Sequence, residues 1–462
     1  TLDTAANTLD VSVTGTGGIW IDESNAVTLA AVDTNSGSIT ITSGGAMTIT
    51  NVTSSTDNDS NDVTLTATTG DVIVGVVVGG TGTLTDVTIT ATAGSIVDDA
   101  IGSSTDVTGD VVTLTAATGV GESAGNGTLD TAANTLDVSV TGTGGVWIDE
   151  SNSVDLNPVD TNNGLINITS GGTMTATSVT AGGTARNVTL TTTGGNIVLG
   201  LVTASGDLVT LTSAGAITDG DAGAGNDVDA SQLVMTAAAG IGGAGANATI
   251  ETTISNLEAS GGTDGVYLTN TGALTIGGIG SMVGVSATGG AIDIRVTGAS
   301  PVSFLVSELV ENTGGNVTLT EDSTAGGVVT LNAAVQGSGT VWIYGGTAQD
   351  TINVNVSGTS TLNLDGKGAD DTYNILKTGL GTAAGDEVNI VDTGATLGDT
   401  ANLNADDTVA ENFTMNAAST QITETVAGKS VSYTGALDLF RVRAFGPNGP
   451  NSTDAEASLI RD

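Results

Sequence analysis

The strongest constraint on the fold of this chain is that its sequence repeats itself. Residues 1–27 recur as residues 128–154 with only two substitutions, and a third, more divergent copy begins at Thr249. Repeats on this scale indicate an array that has grown by tandem duplication, in which each copy packs against its neighbours. The sequence therefore predicts three tandem copies, which span residues 1–127, 128–248 and 249–344.

A shorter period lies inside each copy. The sequence VTLTATTGDVIV begins at Val63 and the similar sequence VTITATAGSIVD begins at Val87, 24 residues later. In these segments apolar residues alternate with threonine, which predicts strands with one buried face, and a turn containing glycine or another turn-forming residue follows. No segment shows helical spacing. Two or three short strands in each period predict an all-β fold whose successive turns stack through parallel strands.

We predict a parallel β-helix, or β-solenoid, with turns of roughly 20–25 residues, so that residues 1–344 make about 14 turns. Small aliphatic side chains must fill its narrow core, because aromatic residues make up only 2% of the chain. A string of β-sandwich domains is the alternative, since copies of about 120 residues also have the size of a sandwich. The solenoid is favoured because the strands are near-copies of one another and lack core aromatics.

The pattern changes near Gly345. The segments GGTAQDTINV, LDGKGADDTYNI and AGDEVNIVD each place a glycine–aspartate turn before a strand, whereas LDLFRVRAFGPNGP concentrates phenylalanine, arginine and proline. We expect residues 345–462 to form a degenerate Gly/Asp-rich β-repeat segment that ends in a cap or a domain boundary, because exposed strand edges need covering. The chain begins at Thr1 without a methionine, and we expect it to be a segment of a longer protein.

The composition excludes several classes of function. The chain carries 50 Asp and Glu against 8 Lys and Arg, for a formal net charge of −42, and it contains neither His nor Cys. Ser-His-Asp and Cys-His catalysis, zinc sites with the usual ligands and disulfides are therefore excluded. Nucleic acids and anionic membranes are unfavourable partners, because binding phosphates requires clustered cations. No apolar stretch approaches the roughly 20 residues of a membrane span, so we expect no membrane insertion.

Several repeats resemble those of filamentous-haemagglutinin-type proteins. The segments SGSITITSGGAMTIT, SGGTMTAT, SAGAIT and NTGALTIGG carry the likeness, which covers about residues 1–345 and rests on composition and period. More broadly, the chain resembles large repetitive bacterial surface and secreted proteins. This resemblance implies a right-handed parallel β-helix that serves as an adhesive or spacing rod outside the cell. The sequence contains no secretion-domain motif of that family.

Three aspartate-rich loops are candidate calcium sites, because calcium takes six to eight oxygen ligands from carboxylates and carbonyls on flexible loops. Residues 345–371 also loosely resemble the glycine–aspartate nonapeptide of repeats-in-toxin proteins, although Ala348 occupies the second glycine position and no run of nonapeptides follows. Turn formation is the competing interpretation, since aspartate and glycine are common turn residues. The candidate calcium ligands are Asp219, Asp221, Asp227 and Asp229 in one loop, Asp57, Asp59 and Asp62 in another, and Asp365, Asp370 and Asp371 in the third.

Two patterns that resemble cofactor or catalytic motifs are weak. Residues 240–245, GIGGAG, match G-x-G-x-x-G, but a dinucleotide site requires this pattern to open a helix within a βαβ unit. A polysaccharide-degrading solenoid needs two acids across a cleft. No Lys or Arg precedes Arg186, and the adjacent acids Asp22 and Glu23 would point to opposite faces of a strand. We therefore predict no catalytic residue and no organic cofactor.

Two outward-facing features are candidate contact surfaces. Trp20 and Trp147 occupy equivalent positions in two copies, and Tyr267 takes this position in the third. On alternating strands these rings face away from the aliphatic core, where they either stack on sugars or, as the favoured interpretation, lie partly buried under a turn. The Thr-x-Thr motifs predict an outward threonine ladder. Such a ladder resembles the face of ice-binding solenoids, but it also fits the preference of threonine for solvent-facing strand positions.

The sequence as a whole predicts a non-enzymatic structural and adhesive segment of a large exported bacterial surface protein. In this interpretation the chain is an acidic extended rod that attaches to cell surfaces or matrix and is extracellular or displayed on the cell surface. Its expected partners are host or matrix glycans and proteins, or neighbouring copies of itself. A calcium-binding surface-layer or matrix component is the first alternative. A polysaccharide-degrading β-helix and an ice-binding solenoid are the others.

Overall fold

The computed structural model shows an all-β protein. It describes residues 1–80, 83–99, 104–123, 127–184, 186–223, 225–245, 248–356 and 358–376, and further short segments as far as residue 460. None of these residues lies in a helix that is long and apolar enough to cross a membrane. The chain divides into two compact units. The chain has about 15 turns of roughly 24 residues, and within each unit the turns are stacked as a parallel β-solenoid.

The first unit comprises residues 1–222 and 227–231. Its strands pair in parallel with strands of neighbouring turns, as β5 does with β3 and β7. The strands are β1 (Leu2–Thr4), β2 (Thr8–Val13), β3 (Ile19–Glu23), β4 (Val27–Thr34), β5 (Ile39–Ser43), β6 (Met47–Ser54), β7 (Val63–Ala67), β8 (Val72–Gly79), β9 (Val87–Ala91), β10 (Ile96–Asp98), β11 (Val107–Ala116), β12 (Leu129–Val140), β13 (Val146–Glu150), β14 (Val154–Thr161), β15 (Ile166–Ser170), β16 (Met174–Ala181), β17 (Val188–Thr192), β18 (Ile197–Ser213), β19 (Ile217–Asp219) and β20 (Val228–Ala237).

The second unit comprises residues 223–226 and 232–462. Its parallel stacking continues past Gly345 as far as β42, because β41 pairs in parallel with β37 and β42 with β38. The pairs β39–β40, β40–β41 and β42–β43 are antiparallel. Its strands are β21 (Gly240–Ile241), β22 (Ile250–Thr253), β23 (Asn256–Gly261), β24 (Gly265–Thr271), β25 (Leu274–Ile276), β26 (Val285–Ala287), β27 (Ala291–Gly298), β28 (Val302–Val306), β29 (Val310–Asn312), β30 (Val317–Ser323), β31 (Gly327–Leu331), β32 (Val335–Gly337), β33 (Val341–Tyr344), β34 (Thr351–Val354), β35 (Leu362–Asp365), β36 (Thr372–Leu376), β37 (Glu387–Val391), β38 (Thr400–Asn404), β39 (Phe413–Met415), β40 (Gln421–Glu424), β41 (Ser430–Thr434), β42 (Leu439–Arg443) and β43 (Glu456–Ile460).

Equivalent residues of successive turns lie beside one another. Val63 of β7 pairs with Ile39 of β5 and with Val87 of β9, so the spacing is 24 residues on both sides. The period of the sequence is therefore the length of one structural turn. Because β-sandwiches are built from antiparallel strands, this parallel register confirms the predicted solenoid, and the sandwich alternative is wrong.

Alternate residues of the strands fill an aliphatic interior. Leu65, Ile89 and Leu114 lie in register in three consecutive turns, and all three side chains are fully buried. Burial of one such side chain stabilises a fold by about 2 kcal/mol, so a stack that repeats through many turns supplies much of the stability. Tyr373 and Phe304 are the largest fully buried side chains among the described residues. The scarcity of aromatic residues thus agrees with a narrow core.

The outer face of the first unit carries the predicted threonine ladder. Thr40, Thr64, Thr88 and Thr113 lie in register in four consecutive turns, and each of them is half-buried. The next residue in this stack is Asp137, so the regular run of threonines ends there.

Glycines at the corners allow successive turns to approach closely. Gly70 has a φ of +83°, a conformation that glycine adopts without steric cost. In the next turn, a methyl group at Gly94 would lie 2.2 Å from the carbonyl oxygen of Gly70. A side chain at Gly94 would therefore force the two turns apart.

Candidate functional sites

One predicted aspartate cluster is brought together in the first unit. Potential ligand oxygens of Asp219, Asp221 and Asp227 lie within 4.8 Å of one another. Asp219 ends β19, Asp221 lies in the exposed loop that follows, and Asp227 is fully buried directly before β20. The fourth candidate, Asp229, lies on β20 outside this group. Within the described part of the chain, this is the one group of three or more acids close enough to hold a metal ion.

The loop that carries these aspartates is closed by the first of them. Oδ1 of Asp219 accepts hydrogen bonds from the backbone N–H groups of Asp221, at 2.8 Å, and Ala222, at 3.0 Å. Oδ2 of Asp219 is buried and has no hydrogen-bond partner among the described residues. The carbonyl of Asp227 accepts a hydrogen bond from the backbone N–H of Val202 in the preceding turn, at 2.8 Å. A cation between these carboxylates would offset their mutual repulsion.

Two aspartates of the second candidate loop accept hydrogen bonds from backbone N–H groups. Oδ1 and Oδ2 of Asp57 accept hydrogen bonds from the N–H groups of Thr83, Leu84 and Thr85, at 3.1–3.2 Å. Asp62 accepts a hydrogen bond from the N–H of Asp86 in the next turn, and Asp59 is exposed. The structure does not bring these three carboxylates together. Their observed contacts are those of turn-forming residues.

The three aspartates of the third candidate loop also lie in different surroundings. Asp365 is buried and accepts hydrogen bonds from the N–H groups of Lys367, at 3.0 Å, and Thr393, at 3.1 Å. Asp370 is exposed, whereas its neighbour Asp371 is buried. The three carboxylates do not form a metal-binding group in the described structure.

Buried aspartates link successive turns of the second unit, which the sequence did not predict. Asp371 accepts a hydrogen bond from the N–H of Asp350 at 2.8 Å, and Asp399 accepts one from the N–H of Asp371 at 2.7 Å. Asp350 in turn accepts hydrogen bonds from the N–H groups of Gly327 and Gly346. Each of these aspartates directly precedes a Thr that starts a strand, but Asp-Thr pairs also occur elsewhere in the chain, so the sequence alone does not identify these three.

Burial raises the pKa of two carboxyl groups far from their usual range. Asp106 is only 5% exposed, and this burial, with repulsion from Asp98 and Asp130, raises its pKa to about 7. Glu321 is fully buried, and its pKa is raised by burial and by the neighbouring carboxylate of Asp350. Both groups therefore stay protonated in the folded protein at mildly acidic pH, where ordinary carboxyl groups are ionised.

A loop of the second unit is organised around two glutamates. Glu258 of β23 is fully buried, and its two carboxylate oxygens accept hydrogen bonds from four consecutive backbone N–H groups at 2.7–2.9 Å. Glu308 accepts two more, from Gly278 and Gly284. Residues 277–284, which we call the Glu258 loop, connect β25 to β26, and at its tip the side chain of Val283 is 69% exposed. The four N–H groups bound by Glu258 belong to Ile279, Gly280, Ser281 and Met282.

The three tryptophans lie in different surroundings. Trp147 is half-buried, as predicted, whereas Trp20 is 52% exposed, so the prediction of partial burial is wrong for Trp20. The ring of Trp342 stacks on Tyr344, with centroids 5.1 Å apart, and Nζ of Lys367 lies 4.2 Å from the centre of the Tyr344 ring. The equivalent positions of Trp20 and Trp147 therefore do not give equivalent surfaces.

A surface cleft of about 340 Å³ lies beside Trp147 in the first unit. We call it the Trp147 cleft. A methyl group at Gly145 would lie 2.8 Å from Cη2 of Trp147, so the indole packs against backbone that only glycine leaves open. The hydroxyls of Ser95 and Thr118 are 2.7 Å apart. Side chains that line the cleft include Ser95, Thr118, Glu122, Ser123, Thr143 and Trp147.

The G-x-G-x-x-G match at residues 240–245 forms a turn between strands. Gly240 and Ile241 make up the short strand β21, Gly242 has a φ of +62°, and the next strand, β22, begins at Ile250. No helix follows the pattern in the described residues, so the arrangement required for a dinucleotide site is not present there.

Stacked parallel turns, an aliphatic core and tandem copies define the chain as a repetitive parallel β-solenoid protein. No protein-family model, no curated protein and no solved structure gives a significant match to it.

Proposed function

We propose that the chain is a non-enzymatic structural and adhesive segment of a large exported bacterial surface protein. The observation that carries this proposal is that 24-residue sequence repeats form successive turns of one fold type, and that groups of these turns recur as tandem sequence copies. Duplication of such turns lengthens a protein without requiring a new core, because each turn contacts only its neighbours. A chain built in this way suits a spacer or a presenting surface better than a single reaction centre.

The net charge of −42 supports a location outside the cell and contact with other surfaces. Like-charged copies repel one another, which keeps a densely displayed protein soluble. The half-buried threonine ladder, and the Trp147 cleft with Glu122 as the one charged side chain in its described lining, offer polar surface for contact with a partner. We propose matrix or host glycans and proteins, or neighbouring copies of the chain, as those partners.

Bead retention and polysaccharide turnover distinguish adhesion from catalysis. Beads coated with the full chain are passed over immobilised matrix proteins and glycans, and the same protein is incubated with acidic and neutral polysaccharides. We expect retention above that of albumin-coated beads and no release of reducing ends. Release of reducing ends with no retention would contradict the proposal and support the polysaccharide-degrading alternative.

Calcium binding at Asp219, Asp221 and Asp227 is a second proposed function, favoured by the approach of their carboxylates to within 4.8 Å. Such a site suits a calcium-dependent surface-layer or matrix component. These residues would supply the hard oxygen ligands that calcium prefers, and carbonyls and water would complete the coordination shell.

Calcium is expected to stabilise the chelator-treated protein. With a Kd of about 0.1 mM, typical of extracellular modules, 10 mM calcium raises the free energy of unfolding by about 2.7 kcal/mol. Thermal unfolding measures this effect. We expect Asp221→Asn to remove most of the shift, whereas Asp59→Asn, which deletes the same charge from another exposed loop, retains it. Equal shifts in both variants would indicate general charge screening and contradict the site.

A further inference from the structure

We propose that the Trp147 cleft binds an uncharged sugar ring of a glycan. This inference rests on the proposed adhesive function and specifies one surface that would perform it. Three features carry it: an aromatic wall, a set of hydroxyl groups, and a charge that excludes acidic sugars.

The aromatic wall is the indole of Trp147. It packs over Gly145 on the outer surface and lines the cleft while remaining half-buried. Its backbone N–H donates a hydrogen bond to the carbonyl of Val120, at 2.8 Å, which ties this strand to the preceding turn. The C–H face of a pyranose ring is apolar and flat, and a fixed indole provides a complementary apolar surface. Trp147 therefore offers a stacking platform that requires little reorganisation.

Hydroxyl groups and one carboxylate complete the cleft. Oγ of Ser95 and Oγ1 of Thr118 are 2.7 Å apart, and Ser123 and Thr143 are exposed at the surface. Each hydroxyl can both donate and accept a hydrogen bond, which matches the hydroxyls of a sugar. The carboxylate of Glu122, also exposed, accepts hydrogen bonds from sugar hydroxyls. A small number of polar groups beside an apolar wall is the usual composition of a small-ligand site.

Charge determines which sugars fit. The described lining of the cleft contains no Lys or Arg and includes Glu122, in a chain of net charge −42. Uronic and sialic acids would therefore be repelled, whereas neutral hexoses and N-acetylhexosamines would not. Glu122 is also the one acid among the described lining residues. Glycoside hydrolysis generally requires a pair of carboxylates, so the cleft is suited to binding.

The test is titration of the full chain with cello-, malto- and chito-oligosaccharides and with polygalacturonate as an acidic competitor. Intrinsic fluorescence and calorimetry report the binding. We expect at least one neutral oligosaccharide to bind with a Kd below about 10 mM, and Trp147→Ala to weaken that binding by tenfold or more. Trp147→Phe should retain part of the affinity, Glu122→Gln should reduce it, and Trp342→Ala should leave it unchanged.

Failure of this inference and failure of the adhesive function give different results. If no neutral oligosaccharide binds, if polygalacturonate alone binds, or if Trp147→Ala binds as well as the unaltered chain, the cleft is not a sugar site. Bead retention that persists in those cases leaves the adhesive function standing through another surface. Circular dichroism of each variant verifies that its β-structure is intact, and Trp147→Phe and Glu122→Gln test the cleft if Trp147→Ala does not fold.

Discussion

Replacement of Glu258 by glutamine is expected to release the Glu258 loop from the solenoid. Four backbone N–H groups point at the two carboxylate oxygens of Glu258, and a glutamine amide has one acceptor oxygen and a donor where the second acceptor was. At least two of these part-buried N–H groups lose a charged partner, which costs about 3 kcal/mol. Hydrogen exchange measures this directly, and we expect the amides of residues 279–282 to exchange roughly 100-fold faster.

Two other glutamates provide matched controls for this substitution. Glu308→Gln removes a carboxylate that accepts two N–H groups of the same loop, so its effect should be smaller than that of Glu258→Gln. Glu311 accepts a hydrogen bond from the side-chain amide of Gln336, and Glu311→Gln should leave the loop protected. Unchanged exchange at residues 279–282 in Glu258→Gln would show that these hydrogen bonds do not hold the loop.

Acidification from pH 8 to pH 5 is expected to stabilise the protein. The pKa of Asp106 is raised to about 7 and that of Glu321 is raised in the same direction, so the folded state binds more protons than the unfolded chain in this range. The stabilisation from these groups is therefore fully present below their unfolded pKa values and is lost as the pH rises through the folded values. We expect a gain on the order of 3 kcal/mol between pH 8 and pH 5, measured by denaturant unfolding.

Glu258 limits this stabilisation at lower pH. Burial alone would raise its pKa, but the four N–H groups outweigh burial and hold the pKa below its usual range. Its contribution is thus present above the unfolded pKa and is lost as the pH falls through the folded value. We therefore expect maximal stability near pH 5 and a decline below about pH 4.

Asp106→Asn tests the origin of the pH dependence. Its side chain is permanently neutral and still accepts the hydrogen bond that Asp106 receives from the N–H of Asp130. We expect this variant to be more stable than the unaltered chain at pH 8 and to gain less on acidification. Asp22→Asn removes the same charge at an exposed position and should keep the full pH dependence. A stability that stays constant or falls from pH 8 to pH 5 would contradict the assignment.

The fold was predictable because two sequence periods report it independently. Alternation of apolar residues with threonine identifies the strands, and the 24-residue spacing from Val63 to Val87 becomes the register between β7 and β9. The alternation arises because one face of each strand is buried, and the 24-residue spacing arises because side chains of a parallel solenoid must match those of the next turn. The handedness of the coil stays a prediction.

The side-chain environments were less predictable because they depend on long-range contacts. Trp20 and Trp147 share almost the same local sequence. Strand β1 pairs with residues 21–23 of β3, so no residue of β1 pairs with Trp20. The backbone N–H of Trp147, in contrast, donates a hydrogen bond to the carbonyl of Val120 in a preceding turn. Trp20 is consequently the more exposed ring.

The candidate metal loops differ for the same reason. Composition does not distinguish Asp57, which holds backbone N–H groups of a distant loop, from Asp219, which lies near two other carboxylates. The Glu258 loop also leaves little local signal, because its anchoring carboxylate lies about 20 residues earlier in the chain. A lengthened turn is the available sign: Leu274 pairs with Phe304, 30 residues later, whereas a turn has roughly 24 residues.

The most direct test of the proposed function is immunolabelling of intact, unpermeabilised cells of the encoding organism with antibodies against the folded chain. The measured quantity is the label on intact cells and in the culture fluid relative to the label after permeabilisation. An exported surface segment predicts that most of the antigen is accessible before permeabilisation. Antigen that becomes accessible only after permeabilisation would contradict a role at the cell exterior.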